Sequence, residues 1–364
     1  MLALGYFASR VLYLEAWGRI WLKHVKECFA IKPDAVLNLH YFPQEMVQQR
    51  LADTLQAGNE EIDQVLSYLL QRPGKMLRPR LVYLCASFYP HDATLLCDTA
   101  VAIELIHLAS LVHDDIIDGS QLRRGQDSLN TRWGEKISVL TGDYLFASAY
   151  DLLSQSGRPD ILQKVSFTIK TMCGGEIRQL NQAGRFSLSQ DEYFEKCFAK
   201  TACLFGCACR AGALTSEMPD DEIFALEQFG LCAGYAYQII DDVLDFVGES
   251  RELGKPVGGD LLEGNVTLPV LLAREDPDHG PRINNLLRGE LSKADIPRII
   301  RVLEESQALE LSMRWAAAFL QQGREFLNKL PECPARQDLN DFSLYLIDAY
   351  YRANRMQTTG NAEV

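Results

Sequence analysis

The chain has 364 residues, of which 47% are hydrophobic and 23% are charged, and its formal net charge is −13. This composition is typical of a globular protein with a sizeable core, so it excludes disordered, collagen-like and coiled-coil-only classes. It also argues against nucleic acid as a partner, because neutralising a phosphate backbone needs clustered Lys and Arg, and no such run stands out.

Residues 1–41 are predicted to form an N-terminal helical extension, and residues 42–364 the main domain. The extension is apolar, but Arg10, Glu15 and Arg19 interrupt it. It lacks the basic start and small-residue cleavage site of a signal peptide, and its uncharged runs are too short to span a bilayer. We expect an amphipathic helix that packs on the main domain or on a partner, with a membrane-surface helix as the alternative.

Apolar residues recur with a helical period along the rest of the chain, and strand signals are almost absent. The predicted helices cover residues 8–29, 44–71, 79–89, 93–118, 135–154, 159–182, 190–215, 220–247, 262–274, 295–322 and 337–354. The stretch 92–118 is apolar nearly all round, which predicts a helix at the centre of a bundle. The fold class is therefore a single all-α domain.

Two segments carry the pattern Asp-Asp-x-x-Asp inside apolar helical runs. The first acidic cluster comprises Asp114, Asp115 and Asp118, and the second comprises Asp241, Asp242 and Asp245. On a helix, the outer two carboxylates of each cluster lie one turn apart on the same face. Burying such like charges is costly unless a cation is present, and all-oxygen ligand sets favour Mg²⁺ bound together with substrate phosphates.

Basic residues accompany both clusters. Arg123 and Arg124 follow the first cluster by one short loop, and Lys200-Thr201 pairs a cation with a hydroxyl. Further candidate cations are Lys75 and Arg78 in GKMLRP, and Lys255 in the Gly-rich segment LGKPVGGD. Together with two Mg²⁺-type clusters, these residues predict a cavity for two polyanions.

With these motifs the chain resembles the trans-polyprenyl diphosphate synthase family, from about residue 70 to 273 and more loosely to 354. The resemblance implies an isoprenoid-synthase-type helical bundle around a deep central cavity. It also implies a prenyltransferase that joins isopentenyl diphosphate to an allylic diphosphate by ionisation, condensation and elimination. The expected cofactor is Mg²⁺, about three ions per active site, bound by Asp114, Asp115, Asp118, Asp241, Asp242 and Asp245.

The resemblance also implies substrate contacts. The residues expected to hold the diphosphate of isopentenyl diphosphate are Lys75, Arg78, His107 and Arg124. Those expected at the allylic diphosphate are Arg123, Lys200, Thr201, Gln238 and Lys255. The catalytic set would be Asp114, Asp118, Arg123, Lys200 and Asp241. His113 is expected to be structural.

One departure narrows the resemblance. Where many members have Gly-Lys before Thr-Leu-Pro, this chain has Gly264-Asn265, one cation fewer. This resembles the large catalytic component of bacterial heptaprenyl- or hexaprenyl-type synthases, which work with a small partner subunit. The expected assembly is a homodimer, or a heterodimer with a small companion, with peripheral membrane association for product release as a further possibility.

Product length should depend on how far an apolar tunnel extends beyond the first acidic cluster, where the lining candidates are Ile106, Ala109 and Ser110. In the family a bulky aromatic residue five positions before the first Asp shortens the product, and here that residue is Ala109. We therefore predict a product of about 30 to 40 carbons, a quinone side-chain precursor. The alternatives are a short-chain farnesyl or geranylgeranyl diphosphate synthase, a terpene cyclase and a non-catalytic supporting subunit.

Ten cysteines without regular spacing do not predict a disulfide framework. Cys203 and Cys207 are four positions apart and would share a helix face, so a metal site is conceivable, but no flanking ligands complete it. The preferred interpretation is reduced, mostly buried thiols in a cytoplasmic protein.

Overall fold

The computed structural model describes residues 42–71, 74–182, 188–247, 257–289 and 291–360, and of residues 182 and 349–360 it describes the backbone only. Helices follow one another along this part of the chain. The helices are α1 (Gln44–Thr54), α2 (Glu60–Leu70), α3 (Leu77–Ala86), α4 (Ala93–Ile117), α5 (Leu129–Trp133), α6 (Glu135–Gln155), α7 (Pro159–Gln182), α8 (Gln190–Cys197), a π-helical turn (Phe198–Ala202), α9 (Cys203–Leu214), α10 (Asp220–Val247), α11 (Gly259–Leu262), α12 (Leu268–Glu275), α13 (Gly280–Leu286), α14 (Ile296–Glu305), α15 (Ala308–Leu327) and α16 (Pro334–Gly360). One antiparallel hairpin, β1 (Leu122–Arg123) and β2 (Gln126–Asp127), is the exception. The predicted all-α class is confirmed.

Helix α4 carries the first acidic cluster at its C-terminal end. It begins where the Asp92 side chain accepts a hydrogen bond from the Leu95 amide at 2.8 Å, which satisfies a backbone donor of the first turn. Most of its residues are buried, as the continuous apolar sequence predicts. It packs against α3, α6 and α9, so this helix holds the cluster on a rigid core element.

Helix α10 carries the second acidic cluster near its C-terminus. Asp220, Asp221 and Glu222 occupy its first turn, where negative charge interacts favourably with the helix dipole. The helix packs against α9, α12, α15 and α16. Helix α9 in turn packs against α3 and α4, so it connects the two aspartate-bearing helices through the core.

Several helix bounds differ from the sequence prediction. The predicted helix 44–71 is divided between α1 and α2, where Gly58 has a φ of +69°. The predicted helix 295–322 ends at Glu305 and resumes at Ala308, because Gln307 adopts a left-handed conformation with φ of 56°. The predicted helix 262–274 is likewise divided between α11 and α12. The predicted helix 8–29 lies outside the described residues.

Two segments are long and apolar enough to cross a membrane, Ala93–Ile117 and Gln190–Leu214. Most of each segment is buried inside the fold. Their hydrophobicity is therefore accounted for by their place in the helical core, and the described residues belong to one unit that spans Leu39–Val364.

Candidate active site

The first acidic cluster lies at the C-terminal end of α4, with Asp118 as the residue that caps the helix. Asp114 is partly buried and Asp118 is exposed. Burial raises the pKa of Asp114 to about 6, the carboxylates of Glu176 and Asp118 add to the rise, and Lys200 opposes it. Asp114 therefore lies in a place where negative charge is destabilised until more positive charge arrives.

The β1–β2 hairpin directs two arginines to different partners. Arg124 and Gly125 have φ values of 51° and 74°, which is the conformation of a two-residue type I′ turn. Arg123, just before the turn, donates its Nε–H to both oxygens of Asp115 at 2.7 Å, and Asp115 is only 4% exposed. Arg123 was predicted to contact the allylic diphosphate; in the structure it is held at the first acidic cluster by Asp115.

Arg124, the first residue of the turn, approaches the loop before α3. A Cβ atom at Gly74 would lie 2.6 Å from the Arg124 guanidinium, so a side chain there would displace it. Arg78 is buried with its guanidinium 4.8 Å from the centre of the Phe205 ring. Lys75 is exposed, with its ammonium 5.9 Å from the centre of the Tyr345 ring. Three of the four predicted isopentenyl diphosphate contacts thus come from the first turn of α3, the loop before it and the hairpin.

Arg78 and Arg124 form a cationic pocket, and His107 and Glu104 of α4 lie next to them in it. Burial, together with the charges of Arg78 and Arg124, lowers the pKa of His107 well below its usual value. His107 is therefore a neutral hydrogen-bonding group at physiological pH. Glu104 is 4% exposed, its Oε2 has no hydrogen-bond partner, and burial raises its pKa while Arg78 and Arg124 lower it. Sequence reasoning missed Glu104, because an acid inside an apolar helical run carries no motif.

Lys200 lies on the π-helical turn, an irregularity that is common at functional sites. Burial alone would lower its pKa, but Asp114, Glu176 and Asp118 raise the pKa above its usual value, with a smaller contribution from Asp260. The ammonium of Lys200 is therefore charged and faces acids from α4, α7 and α11. It therefore lies beside the first acidic cluster, Glu176 and Asp260.

The second acidic cluster is held by a chain of hydrogen bonds. The Thr201 hydroxyl donates to Gln238 Oε1 at 2.6 Å, and Gln238 Nε2 donates to Asp242 Oδ1 at 2.8 Å. The Tyr193 hydroxyl donates to the other oxygen of Asp242 at 2.6 Å. Burial raises the pKa of Asp242 to about 7, Asp260 adds to the rise, and the two hydrogen bonds oppose it. The predicted substrate contacts Thr201 and Gln238 thus serve here to position Asp242.

The outer acids of this cluster differ in exposure. Asp241 is exposed, whereas Asp245 is 1% exposed and accepts a hydrogen bond from the Asp260 amide at 3.3 Å. Asp260 stands beside Asp242 and Asp245, and it too was missed by sequence reasoning, although the Gly-rich loop LGKPVGGD contains it. The predicted cation Lys255 lies outside the described residues.

Glu176 is a further acid of the site that no motif indicated. It follows Gly174 and Gly175 within α7, and a pair of glycines inside a helical pattern is a sequence signal of close packing. The close approach exists, since a Cβ atom at Gly175 would lie 2.3 Å from the Cβ of Ala199. This contact brings α7 onto the turn that carries Lys200.

Two of the three predicted tunnel residues lie deep in the core, and the third, Ser110, is partly buried. Ile106 and Ala109 are fully buried, while the Ser110 hydroxyl donates to the His107 carbonyl of its own helix at 2.8 Å. A cavity of about 60 Å³ lies beside Asp115 and Arg123. Its apolar lining includes Tyr68, Leu69, Leu108 and Leu111. This cavity was not predicted, because its wall combines residues of α2, α4 and the β1–β2 hairpin, which are distant in sequence.

The residues of the two clusters fit a divalent cation by their donor chemistry. Among the described residues no three Asp, Glu, His or Cys side chains already converge on a metal-binding point. The donors are carboxylate oxygens, which hard divalent cations prefer, and burial destabilises the charged forms of Asp114 and Asp242. A cation that draws some of its ligands from a substrate phosphate suits this arrangement. The described cysteines are free thiols, and Cys203 and Cys207 are buried.

Comparison with known proteins agrees with this site. The model of the polyprenyl synthetase family matches residues 59–303. Heptaprenyl diphosphate synthase component 2 of Bacillus subtilis is 36% identical over 302 residues, which cover 83% of this chain and 86% of that protein. The same component of Geobacillus stearothermophilus is 37% identical over 303 residues, covering 82% of this chain and 93% of that protein.

Solved structures give the same result. The polyprenyl synthase of Caulobacter crescentus CB15, complexed with calcium and isoprenyl diphosphate, has a TM-score of 0.78 and 34% identity, covering 83% of this chain and 93% of that chain. Heptaprenyl diphosphate synthase of Staphylococcus aureus has a TM-score of 0.78 and 31% identity, covering 83% and 96%. The all-α bundle with paired acidic clusters thus defines a prenyltransferase, and the chain belongs to the polyprenyl synthetase family.

Proposed function

We propose that this enzyme extends an allylic diphosphate with isopentenyl diphosphate to an all-trans polyprenyl diphosphate of about 30 to 40 carbons, of the heptaprenyl type. One observation carries the proposal: Arg78 and Arg124 form a cationic pocket around His107, while a different cation, Lys200, faces Asp114 and Asp118 of the first acidic cluster. Two separate diphosphate sites suit a condensation of two diphosphate substrates. A product of this length suits the side chain of a quinone. We place the enzyme that makes it in the cytoplasm.

The reaction begins with heterolysis of the allylic C–O bond, whose electron pair leaves with pyrophosphate. Lys200 stabilises the charge that grows on the leaving group, because its ammonium stays protonated beside Asp114. The cationic pocket holds isopentenyl diphosphate so that its double bond attacks the allylic carbon, an effect of orientation. A proton is then lost from the adjacent carbon to the released pyrophosphate, and the apolar core excludes water from the cation.

About three divalent cations would be held with the substrate phosphates by Asp114, Asp118 and Asp241, supported by the remaining acids of the two clusters. When bound, these ions act as Lewis acids toward the leaving diphosphate. Asp115 and Asp242 hold Arg123 and Tyr193 in the structure, so we assign them to positioning as well as to metal binding.

Product length rests on Ala109, whose small side chain leaves the tunnel open. We expect Ala109→Phe to shorten the main product while leaving turnover of short primers intact. Chromatography of the products made from labelled isopentenyl diphosphate measures this. Unchanged chain length would contradict the tunnel assignment.

Assembly with a second subunit is supported by exposed apolar side chains on neighbouring helices. On α6 these are Ile137, Val139 and Leu140, and on α7 they are Phe167, Ile177 and Leu180. We propose that these faces bind a second copy of the chain or a small companion subunit, which the names of the heptaprenyl component 2 relatives support.

The decisive experiment incubates the purified protein with farnesyl diphosphate, labelled isopentenyl diphosphate and Mg²⁺. A ladder of products ending near 30 to 40 carbons is expected, either from this chain alone or once a small companion is added. The Asp114→Ala variant should lose at least about 100-fold in turnover, as removal of a group that stabilises transition-state charge does. Full Mg²⁺-dependent turnover of that variant, or no product under either condition, would overturn the proposal.

A further inference from the structure

Lys196 is a partly buried lysine to which neither the motifs nor the mechanism above assigns a role. It lies on α8, four positions before Lys200 and therefore about one helical turn away. Its ammonium donates a hydrogen bond to Asn265 Oδ1 at 3.1 Å, across 69 positions of sequence. Asn265 is a neutral amide, so this bond leaves the charge of Lys196 without direct neutralisation.

The charges around Lys196 favour the arrival of an anion. Burial lowers its pKa, and the nearby ammonium of Lys200 lowers it further, while Asp242 and Asp260 oppose this. Two ammonium groups held in one partly dehydrated region repel each other. An added polyanion relieves this repulsion, and charge-assisted hydrogen bonds to phosphate oxygens are strong.

A cavity of about 60 Å³ opens beside Lys196. Its lining includes Asn265, Arg178 and Gln179, whose side chains carry hydrogen-bond donors. Glu192 and Glu195 also line it, and the Glu192 carboxylate is already occupied, since it accepts hydrogen bonds from the amide and hydroxyl of Ser189 at 2.8 and 2.9 Å. The cavity therefore offers Lys196 room to move away from Asn265.

We propose that Lys196 is an additional cationic contact for the pyrophosphate that leaves the allylic substrate, which it reaches by exchanging its hydrogen bond to Asn265 for one to a phosphate oxygen. This inference rests on the proposed function, because it concerns the leaving group of that reaction. The contact is specific to one substrate. Lys196 binds the diphosphate of the allylic substrate and the pyrophosphate released from it, and does not bind isopentenyl diphosphate.

The test measures pyrophosphate binding by titration calorimetry with the full chain in Mg²⁺, alongside KM for each substrate. Losing one charge-assisted hydrogen bond corresponds to about a 10- to 100-fold loss of affinity. We expect Lys196→Met to weaken pyrophosphate binding by that factor and to raise KM for the allylic substrate, with KM for isopentenyl diphosphate unchanged. Lys196→Arg should retain most of the affinity.

A matched control is Lys170→Met, which removes an exposed lysine of α7 and should change neither constant. A second variant, Asn265→Asp, keeps the size of the side chain but adds a carboxylate that holds Lys196 and so should also weaken pyrophosphate binding. Unchanged pyrophosphate affinity in Lys196→Met or in Asn265→Asp, or an equal rise in KM for both substrates, would overturn the inference. Absence of any polyprenyl product from the parent protein would instead contradict the proposed function.

Discussion

At the scale of single residues, Asp242 shows how the site keeps a buried acid in place. It is 2% exposed, and each of its oxygens accepts one hydrogen bond, from Tyr193 and from Gln238. A buried carboxylate without such partners is strongly destabilised. The aromatic hydroxyl of Tyr193 is therefore part of the site, although no substrate contact is required of it.

We expect Tyr193→Phe to lower the free energy of unfolding by about 1–3 kcal/mol, because it leaves a buried acceptor without its donor. Urea unfolding followed by circular dichroism measures this as a lower midpoint. Tyr150→Phe, at a partly exposed position of α6, is the control and should leave the midpoint unchanged. A Tyr193→Phe protein as stable as the parent would show that Asp242 does not depend on this hydrogen bond.

The pH dependence of stability should carry the signature of Asp242. Burial raises its pKa from 3.8 to about 7, so between these values the folded state binds a proton that the unfolded state releases. The contribution of Asp242 is therefore fully present at low pH and is lost as pH rises toward 7. In metal-free protein we expect the melting temperature of Asp242→Asn to decline less between pH 5 and pH 7.5 than that of the parent. Parallel declines would contradict the raised pKa.

At the scale of elements, the packing of α7 on the π-helical turn positions Glu176 near Lys200. The contact needs a residue without a side chain at position 175, since a Cβ there would lie 2.3 Å from the Cβ of Ala199. The adjacent Gly174 has nothing within 4 Å of the same hypothetical atom. Two neighbouring glycines in one helix thus have different roles.

This pair provides a matched test. Gly174→Ala should raise the free energy of unfolding by about 0.5–1 kcal/mol, the usual gain for alanine over glycine inside a helix. Gly175→Ala should lower it by about 1–3 kcal/mol through overpacking, and should reduce kcat because Glu176 and Lys200 are forced apart. Thermal unfolding and steady-state kinetics measure both effects. Equal changes in the free energy of unfolding and in kcat for the two variants would mean that α7 can move away from the π-helical turn at no cost in stability or activity.

At the scale of the whole molecule, exposed apolar side chains on α6 and α7 indicate an interface. Leu140 is 67% exposed and Phe167 62% exposed, and clusters of such residues on a soluble protein mark interaction surfaces. We expect Leu140→Glu to shift the protein toward monomer in sedimentation velocity. Phe224→Glu, at a 53% exposed position of α10, is the control and should leave the assembly unchanged. If the parent protein is already a monomer in the absence of a companion subunit, the proposal that two copies of the chain bind each other is contradicted.

The sequence by itself determined the helices that carry function and the chemistry of the two acidic clusters. Helical periodicity is local, so the runs that hold Asp114 and Asp242 were predictable to within a residue or two at their ends. The cationic residues Arg78, Arg124 and Lys200 were predictable for a similar reason, because each lies in a short motif of its own. The splits at Gly58 and Gln307 were missed, since a single left-handed residue interrupts a periodic pattern that otherwise continues.

Only the tertiary structure decided which partner each of these residues has. Asp242 meets Tyr193 across 49 positions, and Lys196 meets Asn265 across 69. The close approach of Gly175 to Ala199, which brings Glu176 toward Lys200, depends on how two helices pack. Such pairings are set by packing between elements distant in sequence, which leaves no local periodicity to read. The acids of the two motifs and the bases near them could therefore be named from the sequence, but the acids without a motif, Glu104, Glu176 and Asp260, and the pairing and protonation of all these groups required the folded protein.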